Sequence, residues 1–244
     1  GVYCIMQISE RLKAIAECVH RGTVVADVGC DHGLTSIYLL KNNIADYVIA
    51  SDINEAPLKQ AAENIKRYGL TEGQDITLAV SDGIKHLAGS DGVRVILASG
   101  MGGRLIIDIL KELKNKPDVE NNIGQLVLSP QSDIHKVRKY LVNSGYNIYD
   151  EKMLTDGGKY YTVICAQPGC PHGYREYEYR YGKVLIEKKD SVLYEYLRTE
   201  LDKKKKIIAD IRSHADSNVR LSETAGSLKK DISDIEIILG MYDI

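Results

Sequence analysis

The chain has 244 residues, with 32 lysines and arginines against 34 aspartates and glutamates, a formal net charge of −2 and an apolar fraction of 44%. That length can bury a real core and fits one full domain with an appendage, while near-neutrality means that any nucleic-acid binding must come from a local basic patch. No run approaches the roughly 20 apolar residues of a membrane span, and Cys4, Cys18, Cys30, Cys165 and Cys170 lack paired spacing, as does the Cys165, Cys170 and His172 set as a zinc site, so a cytoplasmic protein without signal peptide, disulfide framework, metal or membrane anchor is expected.

In chain order, Ile8, Leu12, Ile15 and Val19 recur at helical spacing, with Ser9 available as a cap. Arg11 lies on a different face, as either a solvated charge or a contact to phosphate or substrate. Val24 to Gly33 reads as a strand, a tight loop and, from Leu34, a helix. Gly29 and Gly33 let backbone approach a ligand where a Cβ would collide, and the helix presents free N–H groups. The loop is not a dinucleotide fingerprint, because Asp31 stands where the second glycine would be and Leu34 where the third would be. Asp27 ending the strand and the G-x-x-x-G loop instead resemble motif I of class I S-adenosylmethionine methyltransferases, whose ligand carries cationic groups that tolerate nearby carboxylates.

A second strand, Tyr47 to Ser51, ends at Asp52-Ile53-Asn54. Asp52 follows Gly33 by nineteen residues, close to the spacing of an acid that accepts from ribose hydroxyls. A helix with Pro57 early and Leu58, Ala61, Ala62 and Ile65 periodic precedes a third strand, Ile76 to Val80, which ends in Ser81-Asp82-Gly83. Val93 to Ala98 is the near-continuous apolar run, interrupted at Arg94, expected of a central parallel strand. It leads into Ser99-Gly100-Met101-Gly102-Gly103, where three glycines in four residues predict close backbone approach, by position to the transferred methyl and its acceptor. A helix from Arg104 to Leu113 and a fifth strand, Gln125 to Leu128, ending at Ser129-Pro130-Gln131, come next. A helix through Val137 and Leu141 follows, with two last strands, Tyr146 to Met153 and Tyr160 to Ala166, as an antiparallel pair.

The pattern predicts an α/β fold: a doubly wound, mostly parallel, seven-stranded Rossmann-like sheet with its site at the carboxyl ends of the strands. This domain spans 1–169. Pro168, Gly169, Pro171 and Gly173 punctuate a boundary. Residues 170–244 form a second region, where Leu193, Leu197, Leu201, Ile208 and Ile211, and then Leu221, Leu228, Ile232, Ile235 and Leu239, give two heptad-like seams around a bend at 213–218. These predict an antiparallel, coiled-coil-like helical hairpin. Lys203, Lys204, Lys205 and Lys206 are either a solvated face balanced by nearby acids or an RNA-phosphate contact.

The chain resembles the bacterial tRNA (adenine-N1) methyltransferases that modify adenine 22 in the D-arm. The resemblance rests on Ser9-Glu10-Arg11-Leu12, Asp27-Val28-Gly29-Cys30-Asp31-His32, Asp52-Ile53-Asn54, Ser99-Gly100-Met101-Gly102-Gly103 and Gly158-Lys159-Tyr160-Tyr161 with Gly169. It implies S-adenosylmethionine as cofactor, held by Asp27, Gly29, Asp31, Gly33, Asp52, Ile53, Ser81, Asp82, Gly83 and Gly100. It also implies acceptor positioning by Asp31, His32, Ser99, Gly100, Met101 and Gly102, and tRNA contact through Arg11 and Lys203 to Lys206 of a helical extension. The chain departs from the family at Gly33-Leu34-Thr35-Ser36 and at Ser129-Pro130-Gln131, where Gln-Pro-Asn is expected. Methyltransferases of the exocyclic amino group resemble one another in an Asp/Asn-Pro-Pro-aromatic loop after strand four; Ser99-Gly100-Met101-Gly102 in that place favours the ring nitrogen. A methyltransferase acting on another RNA or on a small molecule, and a non-catalytic RNA-binding protein that retains the cofactor fold, are the alternatives. The oligomeric state is open, with a monomer favoured.

Overall fold

The computed structural model describes residues 8–171, 173–213 and 219–242, and its backbone contacts divide the chain into two compact units, Gly1–Gly173 and Tyr174–Ile244. The first unit holds a seven-stranded sheet of β1 (Thr23–Val28), β2 (Ala45–Asp52), β3 (Ile76–Val80), β4 (Val95–Ser99), β5 (Gln125–Ser129), β6 (Tyr146–Asp156) and β7 (Lys159–Pro168), in the order β3-β2-β1-β4-β5-β7-β6. The pairs β1–β2, β1–β4, β2–β3 and β4–β5 are parallel, and β7 is antiparallel to both β5 and β6. The chain therefore winds outward from β1 to β3 and crosses back to β4 on the other side of β1. That reversal opens a crevice at the carboxyl ends of β1 and β4.

The central strands are apolar on both faces because helices cover both: every residue of β5, and Val95 to Ala98 of β4, is buried. Helices α1 (Glu10–Glu17), α2 (Leu34–Lys41), α3 (Glu55–Arg67), α4 (Gly103–Lys114), α5 (Pro117–Glu120) and α6 (Ile134–Asn143) belong to this unit. Ser9 caps α1 as expected, its Oγ accepting from the Leu12 N–H at 3.3 Å. The far end of α1 is tied down by Gln125, fully buried at the start of β5: Nε2 donates to the Cys18 carbonyl at 2.7 Å, and Oε1 accepts from the His20 N–H at 2.9 Å. A buried ion pair, Arg138 Nε to Glu151 Oε1 at 2.7 Å, joins α6 to β6. Gly157 and Gly158, with φ of 55° and 75°, form the two-residue turn between β6 and β7, the primed geometry that matches strand twist.

The second unit contains α7 (Glu176–Tyr181), α8 (Lys183–Glu187), α9 (Ser191–Ser213) and α10 (Val219–Tyr242). Tyr194 meets Tyr242 with ring centroids 5.2 Å apart, and Lys204 meets Asp231 at 3.0 Å, so α9 and α10 run antiparallel. The seam buries Leu193, Leu197, Ile208, Ile235 and Ile238. Ile238 takes the buried place expected for Leu239, which is only half-buried, a one-residue drift natural to a 3.6-residue helix read against a heptad. The bend beyond Ser213, the side chain of Leu221, Cys4 and His172 lie outside the described residues. Three short helices, α5, α7 and α8, were not expected from the sequence, because one or two turns carry too little periodicity to register.

Candidate active site

All five parallel strands deliver residues to one cavity of about 530 Å³ at their carboxyl ends. The loop after β1 supplies Gly29, Cys30, Asp31 and His32; β2 supplies Asp52 and Ile53; β3 supplies Ser81, Asp82 and Gly83; β4 supplies Ser99, Gly100 and Met101; and Gln131 follows β5. Arg11 and Leu12 of α1 and Leu105 and Ile109 of α4 complete the walls.

The first loop is built by backbone. The N–H groups of Gly29 and Cys30 both donate to the Ser51 carbonyl, at 2.8 and 2.9 Å, so the ends of β1 and β2 are locked together. Gly29 is left-handed at φ 73°, and a Cβ there would lie 2.6 Å from Met101 Cε, so glycine admits the Met101 side chain. Asp31 holds φ 51°, a conformation short acids tolerate better than most residues. The His32 carbonyl accepts from Asn64 Nδ2 at 3.0 Å, and its ring Nε2 lies 3.7 Å from Asp31 Oδ1 at the exposed rim.

Carboxylates dominate the electrostatics. Asp27 is 2% exposed, its Oδ2 accepts from Ser36 Oγ at 2.6 Å, and burial pushes its pKa up to about 6, against the lowering effect of that hydrogen bond. Burial first, and then the charges of Asp27, Asp52 and Asp31, push the Cys30 thiol far above its usual range. The field that opposes a thiolate there favours a cation. Asp52 is half-buried, with Oδ1 accepting from the Asn54 N–H at 2.9 Å; Asp82 pairs with Lys85 at the rim. Arg11 is the one lysine or arginine among the described lining residues, its guanidinium 5.0 Å above the Tyr161 ring.

These residues fit S-adenosylmethionine: the carboxylates surround a site for a sulfonium and an ammonium, Asp52 stands where a ribose diol can donate to it, and Ile53, 63% exposed beside it, offers an apolar face for a base. Of the residues expected at the site, Gly33 and Gly102 do not line the cavity. Gly33 is the left-handed residue leading into α2, and its ideal Cβ would sit 3.1 Å from Ala61 Cβ.

The glycine-rich loop also corrects the expectation. An ideal Cβ on Gly103 would lie 2.4 Å from the Ser132 carbonyl, and one on Gly102 3.2 Å from Ser132 Oγ, whereas Gly100 faces open space at φ 77°. Two of the three glycines thus admit the neighbouring loop of the chain itself, and Gly100 alone is left toward the cavity. Lys203 pairs with Glu200 at 3.2 Å, Lys204 with Asp231 and Lys205 with Glu236 at 2.8 Å. Lys204, 18% exposed, holds α9 to α10. Sequence reasoning missed the apolar wall of Leu105 and Ile109, since both fit the core stripe of α4 as well as a cavity.

The 3-2-1-4-5-7-6 sheet with one reversed strand and acids at the ends of its first three strands defines a class I methyltransferase. The family model described as "Methyltransferase domain" matches residues 8–164. The chain is 31% identical to the tRNA (adenine(22)-N(1))-methyltransferase of Bacillus subtilis over 164 residues, 67% of this chain and 66% of that protein. Among solved structures, it is similar to the B. subtilis m1A22 tRNA methyltransferase (TM-score 0.82, 25% identity), across 96% of this chain and 99% of that one. It is also similar to a candidate tRNA (m1A22) methyltransferase of Streptococcus pneumoniae in complex with S-adenosyl-L-methionine (TM-score 0.82, 28% identity), across 96% of this chain and all of that one. The chain belongs to the bacterial tRNA (adenine-N1) methyltransferase family.

Proposed function

We propose that the protein transfers a methyl group from S-adenosylmethionine to N1 of adenine 22 in tRNA, in the cytoplasm. The observation that carries this reading is the loop after β4: Ser99, Gly100 and Met101 bring no ionisable side chain to the cavity. Such a loop suits an acceptor that needs no proton removed. Adenine N1 meets that requirement, because its in-plane lone pair is free, whereas the N6 lone pair is delocalised into the ring.

The cofactor supplies an activated methyl group on a sulfonium. As the N1–carbon bond forms, the carbon–sulfur bond breaks and its electron pair returns to sulfur. The positive charge moves to the base, leaving N1-methyladenosine and S-adenosylhomocysteine, with no proton exchanged in the step. The protein aligns donor and acceptor and surrounds the migrating charge with fixed carboxylates. Asp52 holds the ribose hydroxyls, Ile53 the cofactor adenine, Ser81, Asp82 and Gly83 the edge of that base, and Asp27, Gly29 and Asp31 the cationic end. Asp31 and His32 lie at the mouth where the product cation forms. Arg11 takes a phosphate of the target strand. Residues 174–244 bind tRNA, with Lys203, Lys205 and Lys206 exposed on α9 and Lys203 and Lys205 able to exchange their carboxylate partners for phosphates, since exposed ion pairs are weak.

The test is incubation with labelled cofactor and tRNA, prompt nuclease digestion and mass spectrometry against N1- and N6-methyladenosine standards. N1-methyladenosine is expected as the initial product; N6-methyladenosine would overturn the reading.

A further inference from the structure

We propose that the carboxamide of Gln131 reads the Hoogsteen edge of the target adenine, Oε1 accepting from the N6 amino group and Nε2 donating to N7. The proposal rests on the function inferred above and identifies the residue that selects the base. Gln131 lines the cavity on the β5 side. Its backbone is fixed there: the Gln131 N–H donates to the Met101 carbonyl at 2.9 Å, and the Gly103 N–H donates to the Ser132 carbonyl at 3.0 Å. These bonds zip the loop after β4 to the loop after β5, and the absence of a Cβ at Gly102 and Gly103 permits it. The backbone of Gln131 is therefore anchored next to Met101, and its exposed side chain starts from the wall assigned to the acceptor.

Among the described lining residues, the other carboxamide is Asn54. It leads into α3 directly after β2, and its backbone N–H donates to Asp52, so it stands on the cofactor side, away from the loops after β4 and β5. A base on the acceptor wall thus meets one carboxamide, that of Gln131. A carboxamide can engage adenine in two bidentate ways, through N6 and N7 or through N6 and N1. The second uses the N1 lone pair as a hydrogen-bond acceptor and blocks its attack on a methyl group. The first leaves N1 free and fixes the ring plane through the adjacent edge. Guanine offers two acceptors, O6 and N7, on the same edge, so Oε1 would face O6 without a proton between them, and guanine N1 carries a proton. Chemistry and contact thus select the same base.

The test is a cycle of two enzymes and two substrates: wild type and Gln131→Ala, on tRNA with adenosine or 7-deazaadenosine at position 22. The deaza base lacks the N7 acceptor and differs in intrinsic N1 nucleophilicity, but that difference is common to both enzymes and cancels in the ratio. A bidentate contact is expected to give a coupling factor in kcat/KM of about ten or more. Gln131→Ala should lose about tenfold to a hundredfold on adenosine, and little further on the deaza substrate, with cofactor affinity and thermal midpoint unchanged. A coupling factor near one would overturn the proposal, whatever the size of the single losses. Absence of transfer by the wild type to unmodified tRNA would instead overturn the function on which the proposal rests, and the proposal with it.

Discussion

Asp27 ends the first strand with its carboxylate buried and one oxygen bonded to Ser36. Its pKa stands near 6 against 3.8 for an ordinary aspartate, because burial outweighs the hydroxyl's donation. A carboxyl raised on folding binds its proton more tightly in the native state. Its contribution to stability is then fully present below about pH 4 and is lost as pH rises through about 6. Asp27→Asn, neutral at every pH, removes that dependence. Between pH 4 and 7.5 the wild type without cofactor should lose up to about 3 kcal/mol relative to the variant. Urea unfolding of both proteins across that range measures it; parallel stability profiles would contradict the burial assigned to Asp27. In the function proposed above, the charged carboxylate under the motif I loop attracts the cationic ligand, which offsets this cost. Asp27, Asp52 and Asp82 were legible in the sequence because each follows an apolar run at a strand end. Gly33 and Gly102 were misplaced because a glycine required by a neighbouring helix or loop reads the same as one required by a ligand.

The element that sets the acceptor wall is the pair of loops after β4 and β5, and its geometry rests on Gly103. A Cβ there would meet the Ser132 carbonyl at 2.4 Å, with Val137 Cγ2 at 3.0 Å, and neither neighbour is a flexible side-chain end. Gly103→Ala should therefore force the loops apart and destabilise the protein by about 1–3 kcal/mol, lowering kcat as Met101 and Gln131 shift. Unchanged denaturation midpoint and kcat would show that the loops have room the geometry denies. Strands and long helices were legible because their period is carried over several turns or residues. The single-turn helices α5, α7 and α8 were not, being fixed by tertiary contacts such as the buried Tyr177, Tyr179 and Tyr181 rather than by pattern.

For the whole molecule, the sequence divides where Pro and Gly cluster, and the lysine run falls in the second unit. Its pairing with Glu200, Asp231 and Glu236 was not legible, because those partners stand three or about thirty residues away and only the folded hairpin brings the distant ones close. A D-arm adenine is stacked or paired in folded tRNA, so reaching N1 costs a few kcal/mol of extrusion. Contacts elsewhere on the RNA must offset it, which is the use the account gives to residues 174–244. The proposed activity joins one base to one tRNA position, and the most direct measurement is reverse-transcription mapping on full-length tRNA, since methylation of N1 blocks Watson–Crick pairing. A cofactor-dependent stop is expected at nucleotide 22, and it should disappear when that position is guanosine. Label incorporation with the stop at another nucleotide, or persisting with guanosine at 22, would contradict it.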